Sequence, residues 1–129
     1  MKLSGTYTHL AWDETVVEQI NDQQKLSEAL VKEEFDGDLK GSASIKMQIF
    51  YCEEGTAQYH GFRLFNGTLK GEQGTLTILE TGTWAKDKAT TNWQIVEGSG
   101  TGAFEGATGS GGYEAGHTKQ VDWHLELTR

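Results

Sequence analysis

The chain has 129 residues, of which 36% are hydrophobic and 10% aromatic, and its formal net charge at pH 7 is −8. This length predicts one domain, residues 1–129, with a real hydrophobic core. The acidic balance argues against nucleic acid and anionic membranes as partners, because only 11 lysines and arginines are present to displace counterions from phosphates. Seventeen glycines without any proline indicate many tight turns in a β-rich fold.

The compartment is predicted from what the chain lacks. Residues 1–10 have no apolar core of the kind found in signal peptides, and no stretch approaches the roughly 20 apolar residues that cross a bilayer. The single cysteine, Cys52, excludes a disulfide within the chain and suits a reducing compartment. We therefore expect a cytoplasmic protein.

The first elements are read in chain order. Residues 5–14 predict a strand, and the polar residues 18–25 predict a loop. Residues 25–35 are ambiguous, because Ser27 could cap a helix and the segment is rich in helix-forming residues. Its apolar residues also alternate, however, and every neighbouring segment has a β pattern, so we predict a strand.

The strongest alternation lies in residues 42–52 and predicts a strand with one apolar face. That face consists of Ala43, Ile45, Met47, Ile49 and Tyr51. Residues 53–56 contain turn-forming Gly55, and a second alternating run starts at residue 57. The two runs are predicted to form a hairpin.

The register of this hairpin depends on the length of its turn, since a slip of one residue reverses every side chain of a strand. A two-residue turn at Glu54-Gly55 places three residues of the second strand on the apolar face: His60, Phe62 and Leu64. A three-residue turn places a different set there: Tyr59, Gly61 and Arg63. We prefer the first register, because it gathers a phenylalanine and a leucine with the isoleucines and the methionine.

Further short strands are predicted over residues 74–80, 91–97, 101–106 and 120–128. The last of these alternates cleanly, and its apolar face is Val121, Trp123, Leu125 and Leu127. We expect this strand to close or edge the sheet.

A short sequence repeat suggests how the sheet is shaped. FDGDLKG at residues 35–41 returns as FNGTLKG at residues 65–71, and a degenerate third piece occupies residues 98–106. Each copy falls where one predicted strand ends and the next begins. The first glycine of the motif can bend a strand, and the leucine can plug inward. Corners of this kind favour a closed β-barrel.

The same residues carry a family resemblance that spans nearly the whole chain. The ordered set is Trp12-Asp13-Glu14, residues 35–41, Tyr59-His60-Gly61, residues 65–71, Gly74, Thr81-Gly82 and residues 98–102. It resembles a family of small, uncharacterised bacterial proteins with an allene-oxide-cyclase-like barrel. The resemblance implies an all-β fold, a small closed antiparallel β-barrel of about eight strands, whose interior can hold a small apolar ligand. Plant allene oxide cyclases of similar fold cyclise an unsaturated fatty-acid epoxide without a cofactor, but no motif here matches their functional positions.

Two glycine-rich segments need separate interpretations. Residues 98–103 match the dinucleotide pattern G-x-G-x-x-[G/A] literally, but the glycine-rich chain that follows is not the helix that a nucleotide site requires. Residues 106–116 are predicted to form a mobile loop that could cover the barrel mouth. The four histidines are scattered and the cysteine is alone, so we expect neither a metal nor another cofactor.

The candidate functional residues are those that a barrel would turn inward. In the preferred register His60 lies among apolar side chains, and Glu14 shares a strand face with Trp12, so His60 and Glu14 could transfer a proton in an apolar pocket. Glu80 is a weaker carboxylate candidate. The residues predicted to line a ligand are Trp12, Met47, Tyr51, Phe62 and Trp93.

Three functions remain open at this point. The first is binding of a small apolar, fatty-acid-like molecule without chemistry. The second is a cofactor-independent isomerase or cyclase that uses His60 and a carboxylate. The third is a homo-oligomeric interaction module whose exposed faces include Phe50, Tyr59 and Phe65. The fold does not choose among them.

Overall fold

The computed structural model describes residues 1–129 and contains only strands, turns and one short 3-10 turn at Glu53–Gly55. The strands are β1 Lys2–Gln19, β2 Lys25–Gly37, β3 Leu39–Tyr51, β4 Ala57–Leu69, β5 Glu72–Ala85, β6 Lys88–Ile95, β7 Thr101–Gly102, β8 Thr108–Ala115 and β9 Gln120–Thr128. No helix is long and apolar enough to cross a membrane.

The strands form one antiparallel sheet that closes on itself. Its order is β4-β3-β2-β1-β9-β8-β6-β5, and a further pairing of β5 with β4 completes the ring, while β7 adds to β5 as an extra strand. The fold predicted from the sequence, a closed antiparallel barrel of about eight strands, is confirmed. Residues 25–35 are a strand, as predicted, because their apolar face packs inside this barrel and overrides local helix propensity.

Glycines allow the strands to approach closely at one end of the barrel. Facing glycines occur in neighbouring strands as the pairs Gly5–Gly37, Gly41–Gly67, Gly67–Gly74 and Gly74–Gly102. A Cβ atom at Gly41 would lie 2.6 Å from Cα of Gly67, closer than any real packing allows. The leucines of the two repeat copies, Leu39 and Leu69, face each other and are buried. The repeat therefore closes the barrel wall, as its position at strand ends predicted.

The same end of the barrel is filled by a packed core. Phe35 lies against the rings of Phe65, Trp93 and Trp123, with centroid separations of 5.3 to 6.2 Å. Phe104 is fully buried and meets Phe65 edge-on at 5.8 Å. This end is closed to solvent by side chains.

The segments after β6 differ from the prediction. Residues 101–106 form only the two-residue β7, after which the chain turns and inserts Phe104 into the barrel end. Residues 106–116 are not a mobile loop, because β8 lies within them and pairs with both β6 and β9. Glycine is required in β8 since a Cβ at Gly111 would lie 2.8 Å from Cα of Leu125. The high glycine content was thus misread as a loop signal.

The preferred register of the β3–β4 hairpin is also wrong. Tyr51 pairs with Ala57 and Ile49 with Tyr59, which is the register of the three-residue turn. Glu54 and Gly55 in that turn have φ values of 62° and 72°. Phe62 therefore points outward and is 53% exposed, whereas Phe65 is 1% exposed. Local hydrophobicity favoured the other register, but only this one brings Arg63 to the acidic side chains inside the barrel.

Strand β1 contains two bulges and loses one of its partners halfway along. It pairs with β9 only from Lys2 to Thr8, whereas its pairing with β2 continues to Gln19 and shifts register around Leu10 and Val17. The polar loop predicted over residues 18–25 is shorter in the structure, since β1 and β2 occupy its ends. The first bulge lets both His9 and Trp12 face the barrel interior, opposite Glu33 and Val31.

The hairpin register predicts opposite responses to two phenylalanine truncations. Phe65→Ala should lower the free energy of unfolding by about 3 to 5 kcal/mol, because it empties a packed core site. Phe62→Ala, three residues away on the outer face, should change it by less than about 1 kcal/mol. Urea denaturation monitored by circular dichroism measures both. Losses of similar size would contradict the register.

Candidate functional site

The barrel end opposite the packed core is hollow. A cavity of about 940 Å³ lies there and is bounded by aromatic and aliphatic side chains on its walls. The main wall residues are Tyr7, Trp12, Met47, Ile49, Tyr51, Ala57, Tyr59, Trp84, Ala89, Tyr113 and Ala115. The wall is incomplete beside the second half of β1, where no strand pairs on the side away from β2. The cavity is therefore closed at its floor and open at its mouth.

An ion cluster forms the floor of the cavity. Arg63 donates to Glu33 through Nε at 2.7 Å and through a terminal nitrogen at 2.9 Å, so this pair is bidentate. Its other terminal nitrogen donates to Oε1 of Glu80 at 2.5 Å. Each of these three side chains is 1% exposed. Such burial of charge is tolerated only because the partners are matched in geometry and hydrogen bonding.

Aromatic rings hold the Arg63 guanidinium in place. Its central carbon lies 5.2 Å from the ring centre of Tyr7 and 5.1 Å from that of Trp93. Burial alone would lower the pKa of Arg63, but the charges of Glu80 and Glu33 raise it well above its usual value. Arg63 is therefore a permanent cation in the barrel.

Glu80 is the member of the cluster with a free acceptor. Its Oε1 accepts hydrogen bonds from Arg63 and from Nε1 of Trp93, the latter at 2.8 Å. No protein group donates to its Oε2, and Glu80 lines the cavity. The floor thus offers one carboxylate oxygen to a bound molecule.

Neutral phenols surround this acidic floor. The hydroxyls of Tyr59 and Thr91 lie 2.6 Å apart. Burial, reinforced by the charge of Glu80, raises the pKa of Tyr113, and burial also raises that of Tyr7 well above its usual value. These hydroxyls keep their protons near pH 7 and can act as donors or acceptors to a ligand.

Two histidines line the cavity, His9 and His117, and neither is His60. His9 lies directly opposite Glu33 in the β1–β2 pairing, and its ring meets Tyr7 edge-on at 5.3 Å. Burial lowers the pKa of His9 below 6.5, an effect that the Glu33 charge opposes. The imidazole is consequently neutral at pH 7 and adds no positive charge to the site.

The mouth contains a small hydrogen-bonded group. Glu14 accepts from Trp12 Nε1 at 2.9 Å and from the Tyr51 hydroxyl at 2.7 Å. Burial would raise the pKa of Glu14, but these hydrogen bonds together with the nearby Lys25 charge outweigh it, and the pKa is lowered. The Lys25 ammonium lies over the Tyr51 ring at 4.8 Å from its centre. The shared strand face of Trp12 and Glu14 is confirmed.

The structure separates the residues predicted for the site. Trp12, Met47 and Tyr51 line the cavity, whereas Trp93 is buried in the packed core just beyond the floor. His60 and Phe62 lie on the outer face, where His60 borders a separate groove beside Gln48 and Thr81. The cause is the hairpin register, which turns the even-numbered residues of β4 outward. His60 and Glu14 do not meet.

The exposed faces also differ from those expected for an interaction module. Phe65 is in the core and Tyr59 lines the cavity, so neither is available to a partner, and Phe50 is only half-buried. Large exposed apolar side chains instead lie along β1 and its end and on the outer wall: Leu10, Val16, Val17, Ile20, Leu30, Phe62 and Leu64. Trp12 is also exposed, but it lines the cavity.

The sequence analysis missed three polar residues of the cavity, Glu33, Arg63 and His9, and ranked a fourth, Glu80, too low. Glu33 continues the inward alternation of Val31 and Phe35, so a buried acid could have been recognised there. Arg63 faced inward in the register that we did not prefer. His9 gave no signal, because the bulge at Leu10 hides which residues of β1 share a face. Glu80 was only a weaker candidate.

No three or more His, Cys, Asp or Glu side chains are grouped as a metal site would need.

Fold and site together define a small antiparallel β-barrel with one packed end and one open, aromatic-lined cavity. The model of a family described as proteins of unknown function, DUF3224, matches residues 3–127, and the chain belongs to that family. A crystal structure of a DUF3224 protein of unknown function from Shewanella oneidensis MR-1 is similar, with a TM-score of 0.78 and 18% sequence identity over 99% of this chain and 96% of that one. At this identity the likeness concerns the fold. No curated protein gives a significant match.

Removal of the central cation should destabilise the protein strongly. Arg63→Met leaves two buried carboxylates without their partner, and we expect the free energy of unfolding at pH 7 to fall by about 3 to 5 kcal/mol. Lys46→Met is the matched control, because Lys46 forms an exposed ion pair with Glu28 and its loss should cost less than about 1 kcal/mol. Guanidinium denaturation of both variants measures the difference. Equal losses would show that the cluster does not stabilise the barrel.

The buried phenols predict instability at alkaline pH. The pKa of Tyr113 is raised in the folded state. Above pH 10 the unfolded chain loses this proton first, so the free energy of unfolding falls by up to about 1.4 kcal/mol per pH unit for each such tyrosine. In urea denaturation at a series of pH values, the free energy of unfolding of Tyr113→Phe should therefore fall less steeply above pH 10 than that of the unaltered protein. Between pH 7 and 9 the two curves should be parallel. Parallel curves throughout would contradict the burial of this phenol.

Proposed function

We propose that the protein binds a small, mostly apolar molecule in the cavity at the open end of the barrel. The observation that supports this function best is the cavity itself, which has about 940 Å³ of space enclosed by aromatic and aliphatic walls above a polar floor. Ligand sites in proteins commonly have this size and this combination of apolar walls with a few convergent polar groups.

The polar groups restrict how a fatty-acid-like molecule would lie. The floor contains the carboxylates of Glu33 and Glu80, which repel an anionic head group. The ammonium of Lys25 lies at the mouth, beside Tyr51. A fatty acid would therefore bind with its hydrocarbon chain inward and its carboxylate at the mouth.

Binding without chemistry is favoured over the isomerase alternative. That alternative required His60 and Glu14 to face one bound molecule, but His60 borders a groove on the outer wall while Glu14 is bonded to Tyr51 at the cavity mouth. The two side chains cannot act on the same ligand. The homo-oligomer and the cytoplasmic location expected from the sequence stay predictions.

The proposal predicts saturable binding of an uncharged apolar dye. N-phenylnaphthylamine should bind with a stoichiometry of one per chain and gain fluorescence, because its rings would lie against the apolar walls of the cavity. Ala89→Trp should weaken this binding by about tenfold or more, since Ala89 lines the cavity and an indole there occupies ligand space. Gln94→Trp, on the exposed face of the same strand β6, is the control and should bind like the unaltered protein.

Circular dichroism of both tryptophan variants establishes that the barrel is intact. If the dye binds equally to both, it lies outside the cavity and the proposal is wrong. Native mass spectrometry of the protein purified from its own host complements this test, because a retained small molecule would identify the ligand class.

A further inference from the structure

The charged groups that line the cavity do not balance. Asp22, Glu33 and Glu80 are acidic, whereas Lys25 and Arg63 are basic, so the formal charge of the lining is −1 with its two histidines counted as neutral. Burial lowers the pKa of His9, which is therefore neutral at pH 7, and the exposed His117 lies at the rim, 3.5 Å from the carboxylate of Asp87. The imbalance is located at the floor, where two carboxylates meet one guanidinium. Low-polarity walls strengthen the field of such a charge at the position of a ligand.

The only cation at the floor, Arg63, is already paired with protein carboxylates. Arg63 donates to both oxygens of Glu33 and to Oε1 of Glu80, and its guanidinium lies near the rings of Tyr7 and Trp93. An anionic ligand could reach the guanidinium only by displacing a buried carboxylate, which would then lose its partner. The cluster therefore rejects anions at the floor.

Glu80, in contrast, can accept a hydrogen bond from a cation. It is 1% exposed, lines the cavity and leaves Oε2 without a donor from the protein. The buried side-chain atoms that lack any partner are Ser27 Oγ and Trp123 Nε1, so Oε2 of Glu80 is accessible from the cavity, where water or a ligand can donate to it. A donor that also carries positive charge would satisfy the hydrogen bond and neutralise the excess charge together.

The walls suit a cation as well. Six aromatic side chains line the cavity: Tyr7, Trp12, Tyr51, Tyr59, Trp84 and Tyr113. Ammonium groups are attracted to the faces of such rings. Lys25 shows this contact within the protein itself, since its ammonium lies 4.8 Å from the centre of the Tyr51 ring.

We infer that the ligand of this cavity is an organic amine, whose ammonium group donates to Oε2 of Glu80 at the floor while its apolar body lies along the aromatic walls. This inference rests on the proposed binding function. The expected ligand class is an amine with an aliphatic or aromatic body, which should bind more tightly than a fatty acid.

Three compounds with the same body test the inference on the unaltered protein. Phenylbutylamine, phenylbutanol and phenylbutanoate share a ring and a chain of four carbons, and their end groups at pH 7 are a cation, a neutral hydroxyl and an anion. Displacement of N-phenylnaphthylamine should show the amine binding at least about tenfold more tightly than the alcohol, and the carboxylate most weakly. If the alcohol or the carboxylate binds as tightly as the amine, the inference is wrong and the binding function stands. If neither the dye nor any of the three binds, the binding function itself fails.

Two variants locate the preference. Glu80→Gln keeps the shape of the side chain but removes its charge, and it should reduce the preference for amine over alcohol to less than about threefold. Glu34→Gln, on the exposed outer face of β2, removes a carboxylate elsewhere and should leave the preference unchanged. An undiminished preference in Glu80→Gln would overturn the assignment to Glu80. Should this variant not fold, the three compounds on the unaltered protein still decide the ligand class.

Discussion

The ion cluster of Glu33, Arg63 and Glu80 is the constraint on which the rest of the structure depends. Its members come from β2, β4 and β5, so the cluster links the β4–β5 hairpin to β2, which is separated from β4 in the sheet by β3. Burying these charges is costly unless all three stay in contact. The cluster thereby fixes which face of each strand points inward, including the face of β4 that local hydrophobicity would have turned outward.

The cluster also divides the barrel into two different halves. On one side glycine pairs bring the strands together and aromatic rings fill the interior, with Phe104 closing the end. On the other side the β1–β2 hairpin continues past the last residue of β1 that pairs with β9, and the space between the walls stays open. The packed half therefore contains the hydrophobic core, and the open half contains the cavity.

The family and the fold exclude fewer possible ligands than the chemistry of the cavity does. Membership in the DUF3224 family and the likeness to a solved structure of that family establish the barrel architecture. Barrels of one architecture hold unrelated ligands, so the chemistry of the lining must supply the distinction. Here the distinction comes from one guanidinium shared by two carboxylates, from an unused oxygen on Glu80, and from the rings above them.

The sequence by itself determined most of the strands and the closed form of the sheet. Alternation predicted β9 with its correct bounds, and the repeated F-x-G-x-L-K-G motif predicted the sharp closure, because both depend on local geometry and side-chain polarity. Glycine content misled the prediction for β8, where glycine serves close strand approach rather than a loop.

Only the tertiary structure decided the site. A single extra residue in the β3–β4 turn moved His60 and Phe62 outside and Arg63 inside, and a bulge at Leu10 brought His9 and Trp12 to the same face. Neither irregularity has a distinct local pattern. The observed register is favoured because it pairs Arg63 with carboxylates from β2 and β5. This interaction forms only when the barrel closes and brings the three strands together.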